Sequence, residues 1–312
     1  MGNLTLNDDI MGRLKGRRWL VGVSGGGDSV ALLRLLVDAG LTDRLVVGNF
    51  EHGWGDFGRE SAAFVARLAA EQGLAFAGGA GGGKAVTNAE AVARGERYAW
   101  FEQVVRERGL DGVLVAHTRD DMVEGFLMRA GKGSGLRGLA GMGVVGDWRG
   151  MVVLRPLLSA GREDLRAYLR EQGQEWMEDP DNEAGGSQRA RVRGVIPQLE
   201  AAGVSVEGLA ASMAALRDAE AALAAVVDGF VFNDSAKGSV ELELVALRGV
   251  EVEIGVRVLG RIMEQLHPHT MVVRRGKRVA LLERLKLEDS GAATLGGVKF
   301  EWKKGVLTAR KE

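Results

Sequence analysis

The sequence predicts a doubly wound α/β fold with a mostly parallel sheet, followed by a helical linker and a small α+β domain. As far as Gln172, short apolar runs alternate with longer segments of helical periodicity. This alternation is typical of crossover connections between parallel strands. The pattern then changes to an Ala-rich helical stretch and a mixed tail. We therefore expect one domain at residues 1–203 and a second region at 204–312.

The elements of the first domain are predicted in chain order from periodicity. Apolar runs indicate strands at 19–23, 45–50, 74–77, 113–116 and 152–154. Helical spacing indicates helices at 30–36, 57–72, 88–108, 120–130 and 161–172, with Asn88 as an N-cap. Ligands bind at the carboxyl ends of parallel strands, so the loops after residues 23, 50 and 116 are expected to form a site.

The second region predicts fewer and less regular elements. Residues 204–232 form an Ala-rich helix with Ser205 at its start, followed by a strand at 240–244. Helices are expected at 250–266 and 275–287, and two short strands near the C-terminus.

Composition narrows the function classes. The absence of cysteine excludes disulfides, thiolate metal sites and cysteine nucleophiles. The net charge of −1 means that any nucleic-acid surface must come from local basic clusters. No signal-peptide pattern and no apolar run of about 18 residues is present, so we expect a cytoplasmic protein without a membrane span.

A glycine-rich loop joins the first strand to the first helix. It consists of Ser24, Gly25, Gly26, Gly27, Asp28 and Ser29. Glycines let the backbone approach phosphate oxygens, and the free N–H groups of the helix start point toward an anion. Asp28 would repel phosphate unless a cation lay between them, which implies Mg²⁺.

A second glycine-rich stretch, 78–84, matches only the beginning of another phosphate-loop pattern. Ala85 follows Lys84 where that pattern needs a hydroxyl for the metal. We interpret this stretch as a flexible loop.

The loop hexapeptide resembles the SGGxDS signature of PP-loop pyrophosphatases, and further segments resemble the tRNA(Ile)-lysidine synthetases in the same order. These segments are Glu51–Gly53, Asn88–Tyr98, His117–Glu124, Gly133–Met142, Arg155–Leu158, Glu178–Asn182, Arg189–Arg193 and Thr294–Gly297. The chain is similar to a short form of that family with one C-terminal domain.

The resemblance implies a PP-loop fold of the adenine nucleotide alpha hydrolase type and a ligase activity. In that activity ATP adenylates the wobble cytosine of a tRNA(Ile) with a CAU anticodon. The ε-amine of free L-lysine then displaces AMP, and pyrophosphate is the other product. ATP, Mg²⁺, L-lysine and the tRNA are the implied cofactors and partners, while a homodimer is left open.

The resemblance also assigns roles. The implied catalytic residues are Asp28, His52, His117, Asp121 and Glu124, with Asp28 on the metal and the loop hexapeptide on ATP. Asp121 and Glu124 lie three apart on a helix and share a face; they are expected to hold the substrate ammonium, with Arg97 on its carboxylate. Phosphate contacts are expected from Arg189, Arg191 and Arg193, which alternate in sequence, and tRNA contacts from Lys132, Arg137, Arg274, Arg275, Lys277 and Arg278.

Five positions depart from the family pattern: Gly55, Thr118, Met122, Gly125 and Ala190 stand where Arg, His, Gln, Thr and Asn are expected. These departures predict ATP binding with slow lysine transfer. A catalytically weakened nucleotide- or tRNA-binding homologue is one alternative. Another PP-loop pyrophosphatase with a different substrate is the second, although thiolation by catalytic cysteines is excluded.

Overall fold

A computed structural model of the chain describes residues 4–53, 56–82, 89–178, 187–230, 232–235, 238–267 and 273–312. Predictions for Gly55, Lys84, the Asn88 cap and residues 179–182 lie outside these ranges. The chain divides into two compact units, Met1–Arg217 and Asp218–Glu312. The predicted division at 203/204 precedes a long helix, Val206–Asp228, whereas the two units divide within that helix.

The first unit is built on a six-stranded sheet. Its strands are β1 (Trp19–Gly22), β2 (Leu45–Glu51), β3 (Ala75–Ala80), β4 (Gly112–Val115), β5 (Val145–Trp148) and β6 (Met151–Leu154). The order is β3-β2-β1-β4-β6-β5, and only β5 pairs antiparallel. The predicted strands are confirmed. The edge strand β5 was not predicted. It has no buried residue, so no apolar run marks it in the sequence.

Helices connect and cover these strands. They are α1 (Asp8–Leu14), α2 (Gly27–Asp38), α3 (Asp56–Glu71), α4 (Ala89–Glu107), α5 (Arg119–Ala130), α6 (Leu136–Ala140), α7 (Arg162–Glu171), α8 (Gln188–Ala201) and α9 (Val206–Asp228). Ser205 accepts a hydrogen bond from the Gly208 N–H at 3.0 Å, as expected of a cap at the start of α9. Helices α1, α6 and α8 were not predicted.

The central strand β1 shows why helices lie on both faces. Trp19 and Val21 belong to one buried cluster, with Leu32 of α2 and Leu165 of α7. Leu20, between them in sequence, packs into a second cluster that contains residues of α4. Successive side chains of a strand point to opposite faces, so burial of all three residues confirms the doubly wound fold.

The sequence analysis interprets residues 78–84 as a flexible loop. The structure corrects this for residues 78–80, which belong to a strand. Gly78, Gly79 and Ala80 are the last residues of β3 and pair with β2. A Cβ at Gly79 would lie 2.3 Å from the indole of Trp100, so the glycine allows the ring to pack on the strand.

The second unit is a small α+β domain, as predicted. Its elements are β7 (Asn233–Ser235), β8 (Ser239–Glu243), α10 (Leu244–Arg248), α11 (Val252–Leu266), α12 (Arg275–Leu287), β9 (Gly291–Leu295), β10 (Val298–Lys303) and β11 (Val306–Lys311). The antiparallel order is β7-β8-β11-β10-β9. Three strands near the C-terminus replace the two expected, and alternate residues of β10 are buried in the core.

In the described ranges, no single helix is long and apolar enough to span a membrane; α8 and α9 pass that test only together, as a bent pair.

Candidate active site at the carboxyl edge of the sheet

The glycine-rich loop between β1 and α2 is folded tightly. The Ser24 N–H donates to Ser29 Oγ at 3.1 Å, and Ser29 Oγ donates to the carbonyl of Gly26 at 2.8 Å. Gly25 has a φ of +85°, a conformation that L side chains rarely adopt. The loop therefore leads into the N-terminus of α2, and the first N–H groups of a helix suit an anion.

Side chains from distant segments brace this loop. Asn49 of β2 donates to the carbonyl of Val23 at 2.9 Å, and Ser61 of α3 donates to the carbonyl of Ser24 at 2.6 Å. On the other side, the Met177 N–H donates to the carbonyl of Gly25 at 2.9 Å. These supports fix the loop before any ligand arrives.

Asp28 lies in the first turn of α2, beside an arginine. Burial raises the pKa of Asp28 to about 6, against the opposing charge of Arg162, and the nearby Asp121 raises it further. Arg162 Nε lies 3.4 Å from Asp28 Oδ2. Asp28 is thus a carboxylate that needs a cationic partner to stay ionised near neutral pH.

The same guanidinium contacts both acids of α5. Arg162 Nη2 lies 3.3 Å from Asp121 Oδ1, and Arg162 Nη1 lies 3.3 Å from Glu124 Oε1. The structure thus brings Asp28, Asp121 and Glu124, three of the expected catalytic residues, around one guanidinium. The sequence interpretation missed Arg162, which joins them.

Glu124 is fully buried beneath arginines of α8. Arg189 Nε and Arg193 Nε each donate to its carboxylate at 2.7 Å. Burial alone would raise the pKa of Glu124, but the Arg193 hydrogen bond and the surrounding arginine charges hold it below its usual value. Glu124 does not line the open cavity, whereas Asp121 does.

The helical structure of α8 separates the three arginines. Arg189 and Arg193 are four residues apart, share a face and reach the cavity. Arg191 is exposed and lines a separate groove with Leu127 and Val195. The alternate spacing seen in sequence therefore does not place all three on one surface.

The two histidines follow strand ends, as expected. His52 lies after β2 and His117 after β4, and both line the cavity. Burial lowers the pKa of His117 to about 3, helped by Arg94, Arg155 and other arginine charges. Burial and the nearby Arg97 lower the pKa of His52. Both imidazoles are therefore neutral at pH 7 in the ligand-free protein.

Arg97 projects from α4 into the same cavity. Its guanidinium lies 6.0 Å from the ring centre of Tyr98, and burial lowers its pKa. The adjacent Arg94 adds a second positive charge, 4.7 Å over the Tyr98 ring. Arg97 thus adds positive charge to the cavity that Asp28 and Asp121 also line.

The cavity holds about 560 Å³, within the usual range for small-molecule sites. Among the described residues, no cluster of three His, Asp or Glu side chains is suited to a metal ion. Magnesium beside a nucleotide needs only one or two carboxylates, with phosphate and water oxygens completing its shell. Asp28 at the loop fits that requirement.

The structure shows the surroundings of three of the departures from the family pattern. Thr118 is fully buried and caps α5: Asp121 N–H donates to its hydroxyl at 3.3 Å, and its own N–H donates to Asp121 Oδ2 at 2.8 Å. Met122 is buried with Leu158 and Met213, away from the cavity. Gly125 lies in mid-helix, and a Cβ there would meet the Arg129 guanidinium at 3.1 Å.

Comparisons with known proteins bear on the family of the chain. The model of a PP-loop domain matches residues 4–199. A tRNA(Ile)-lysidine synthase of a Bradyrhizobium species is 33% identical over 298 residues, which cover 89% of this chain and 83% of that protein. A second tRNA(Ile)-lysidine synthase, from Novosphingobium aromaticivorans, is 34% identical over 297 residues. The matched region covers 93% of this chain and 87% of that protein.

A solved structure gives the same fold. The U34-tRNA thiolase NcsA from Methanococcus maripaludis superposes with a TM-score of 0.55 over 69% of this chain and 75% of its own, at 19% identity. Taken with the phosphate loop, the acids of α5 and the curated relatives, the chain belongs to the tRNA(Ile)-lysidine synthase family of PP-loop proteins.

Proposed function

We propose that this protein is an ATP-dependent carbon–nitrogen ligase that converts the wobble cytosine of a tRNA(Ile) with a CAU anticodon to lysidine. ATP transfers its adenylyl group to the cytosine O2 with release of pyrophosphate. The ε-amine of free lysine then attacks the activated carbon, and AMP leaves. A reaction on tRNA fits a cytoplasmic location.

The observation that carries the proposal is the convergence of three features in one cavity. The phosphate loop, the acid Asp121 and the cation Arg97 all line it. A phosphate chain, an ammonium and a carboxylate each have a complementary partner there. ATP and free lysine together present these three groups.

The proposed roles follow from position. The loop from Ser24 to Ser29 holds the phosphates, and Asp28 holds the magnesium ion that offsets their charge. Asp121 receives the lysine ammonium. Glu124, which lies behind the cavity, acts through Arg189 and Arg193 rather than by direct contact.

The amine must lose a proton before it can attack, because a lysine amine has a pKa of about 10.4 in water. Arg189 Nη2 lies 3.4 Å from Asp121 Oδ1. Its positive charge lowers the pKa of an ammonium held there and favours the neutral nucleophile. His52 and His117 are neutral and supply hydrogen bonds to the cytosine ring of the tRNA.

The test is the formation of AMP and pyrophosphate by the purified chain with a tRNA(Ile) transcript, ATP and magnesium, with and without lysine. AMP release that requires both tRNA and lysine supports the proposal. The Asp28→Asn variant should lower pyrophosphate release by about 10²-fold or more, the scale of a lost electrostatic partner. Pyrophosphate release at the wild-type rate in that variant would contradict the loop assignment.

A further inference from the structure

Arg162 occupies an unusual place among the acids of the site. It begins α7, and its own N–H donates to Asp120 Oδ2 at 2.8 Å, which fixes the backbone beside α5. Its guanidinium reaches Asp28, Asp121 and Glu124 at 3.3–3.4 Å. The side chain is only 16% exposed.

One positive charge thus serves three carboxylates that come from two helices. Carboxylates gathered around a single point repel one another, and a shared cation offsets this repulsion. Without a cation between them, Asp28 and Asp121 would separate or take up a proton.

The contacts of Arg162 with the three carboxylates are longer than those of a well-formed ion pair. Charge-assisted hydrogen bonds are ordinarily about 2.7–2.9 Å long, and Arg189 and Arg193 meet Glu124 at 2.7 Å. Arg162 divides its N–H donors among three carboxylates, and none of the three hydrogen bonds has the optimal length. If Arg162 moved, Glu124 would remain paired with Arg189 and Arg193, and Asp121 would keep only its 3.4 Å contact with Arg189. Asp28 would lose its direct ion pair, so both aspartates would be more open to another cation.

We propose that Arg162 is an internal counter-ion that preassembles Asp28 and Asp121 in the ligand-free protein and is exchanged for the cations of the bound ligands. The inference rests on the proposed function, in which Asp28 meets magnesium and Asp121 meets the substrate ammonium. Arg162 is therefore a positioning residue. It holds the two acids close together until a cation replaces it.

The competition has a direct consequence for metal binding without nucleotide. Wild-type protein should bind Mn²⁺ alone weakly, because Arg162 already occupies Asp28. Arg162→Met should bind Mn²⁺ about tenfold or more tightly, since a like charge near 4 Å is removed. Arg162→Lys keeps the charge on a flexible stem and should lie between the two.

The measurement is a Mn²⁺ titration of the 312-residue chain at pH 8, in which the electron paramagnetic resonance signal reports the free ion. Arg170→Met is the matched control: it removes the same charge from the same helix, but Arg170 pairs with Glu163 on the surface. It should bind Mn²⁺ like the wild type. The double variant Arg162→Met/Asp28→Asn should lose the gained affinity.

Equal or weaker Mn²⁺ binding by a folded Arg162→Met would overturn the proposal, as would equal tightening in Arg170→Met. Circular dichroism melting reports folding; if Arg162→Met does not fold, Arg162→Lys decides by the same comparison. The titration contains neither tRNA nor lysine. If Arg162→Met binds Mn²⁺ more tightly but the wild-type protein makes no lysidine, only the proposed function is contradicted. If the protein makes lysidine but Arg162→Met binds Mn²⁺ no more tightly, only the counter-ion proposal is contradicted.

Discussion

At the scale of single residues, Asp28 is under opposing demands. Its place in the first turn of α2 puts a carboxylate at the phosphate loop, where a metal ligand is useful. The same place buries it and raises its pKa from 3.8 to about 6. Folding therefore disfavours the ionised form that we propose for catalysis, as is common at functional sites.

Replacing Asp28 should consequently stabilise the fold in a pH-dependent way. The folded-state pKa lies above the unfolded value, so ionisation destabilises the native state as pH rises from about 4 to 6. Asp28→Asn removes this effect. It should gain up to about 3 kcal/mol relative to wild type between pH 4 and 7.5. Urea unfolding at both pH values measures it, and an equal stability difference at both would contradict the assignment.

Met122 provides a second test at this scale. The sequence comparison treated it as a lost polar site residue, but its side chain is buried with Leu158 and Met213. Met122→Gln should cost about 1–3 kcal/mol, because a polar amide must be buried in an apolar cluster where Arg217 Nη1, 3.7 Å from Met122 Sδ, offers it one hydrogen bond. The variant should not speed lysine transfer. A faster single-turnover rate in this variant would restore the view that the departure weakens catalysis.

At the scale of elements, α8 shows where sequence reasoning ends. The strands of the first unit other than β5 were predictable, because apolar runs such as Leu45–Val47 are buried in the sheet. The helix α8 was not, since no residue in it is buried and Pro197 lies inside it. Arg162 could not be found either, because its acid partners lie 38, 41 and 134 residues away in sequence.

The two faces of α8 should separate in a mutational comparison. Arg189→Met leaves Glu124 with one fewer partner and should slow single-turnover lysine transfer by about 10²-fold, as misplacement of a site group does. Arg191→Met removes the same charge from the opposite side of the helix and should leave the transfer step unchanged at saturating tRNA. Equal losses in the two variants would show that the face of α8 does not matter.

At the scale of the whole molecule, a nearly neutral chain must bind a polyanion through local clusters. The net charge is −1, yet Arg274, Arg275 and Lys277 are exposed at the start of α12. Arg275 also lies 3.2 Å from Glu253, so part of its charge is offset. The predicted tRNA contacts of this cluster remain a prediction.

The salt dependence of tRNA affinity tests that cluster. Each lost phosphate contact should flatten the plot of log affinity against log salt concentration by about 0.7–0.9. Arg274→Gln/Arg275→Gln should therefore weaken tRNA binding and reduce the slope by up to about two such steps. The control is Arg310→Gln, in β11, which pairs with Glu301. An unchanged slope in the double variant would show that Arg274 and Arg275 do not contact tRNA phosphates.

The most direct test of the central claim is the fate of lysine labelled with ¹⁵N at its ε-amine. The chain is incubated with the tRNA(Ile) transcript, ATP and magnesium, and the digested nucleosides are analysed by mass spectrometry. We expect the label on the wobble cytidine, with a mass gain of one lysine minus one water, and none in Asp28→Asn. ATP consumed without label in the tRNA, or label at another nucleotide, would contradict the account.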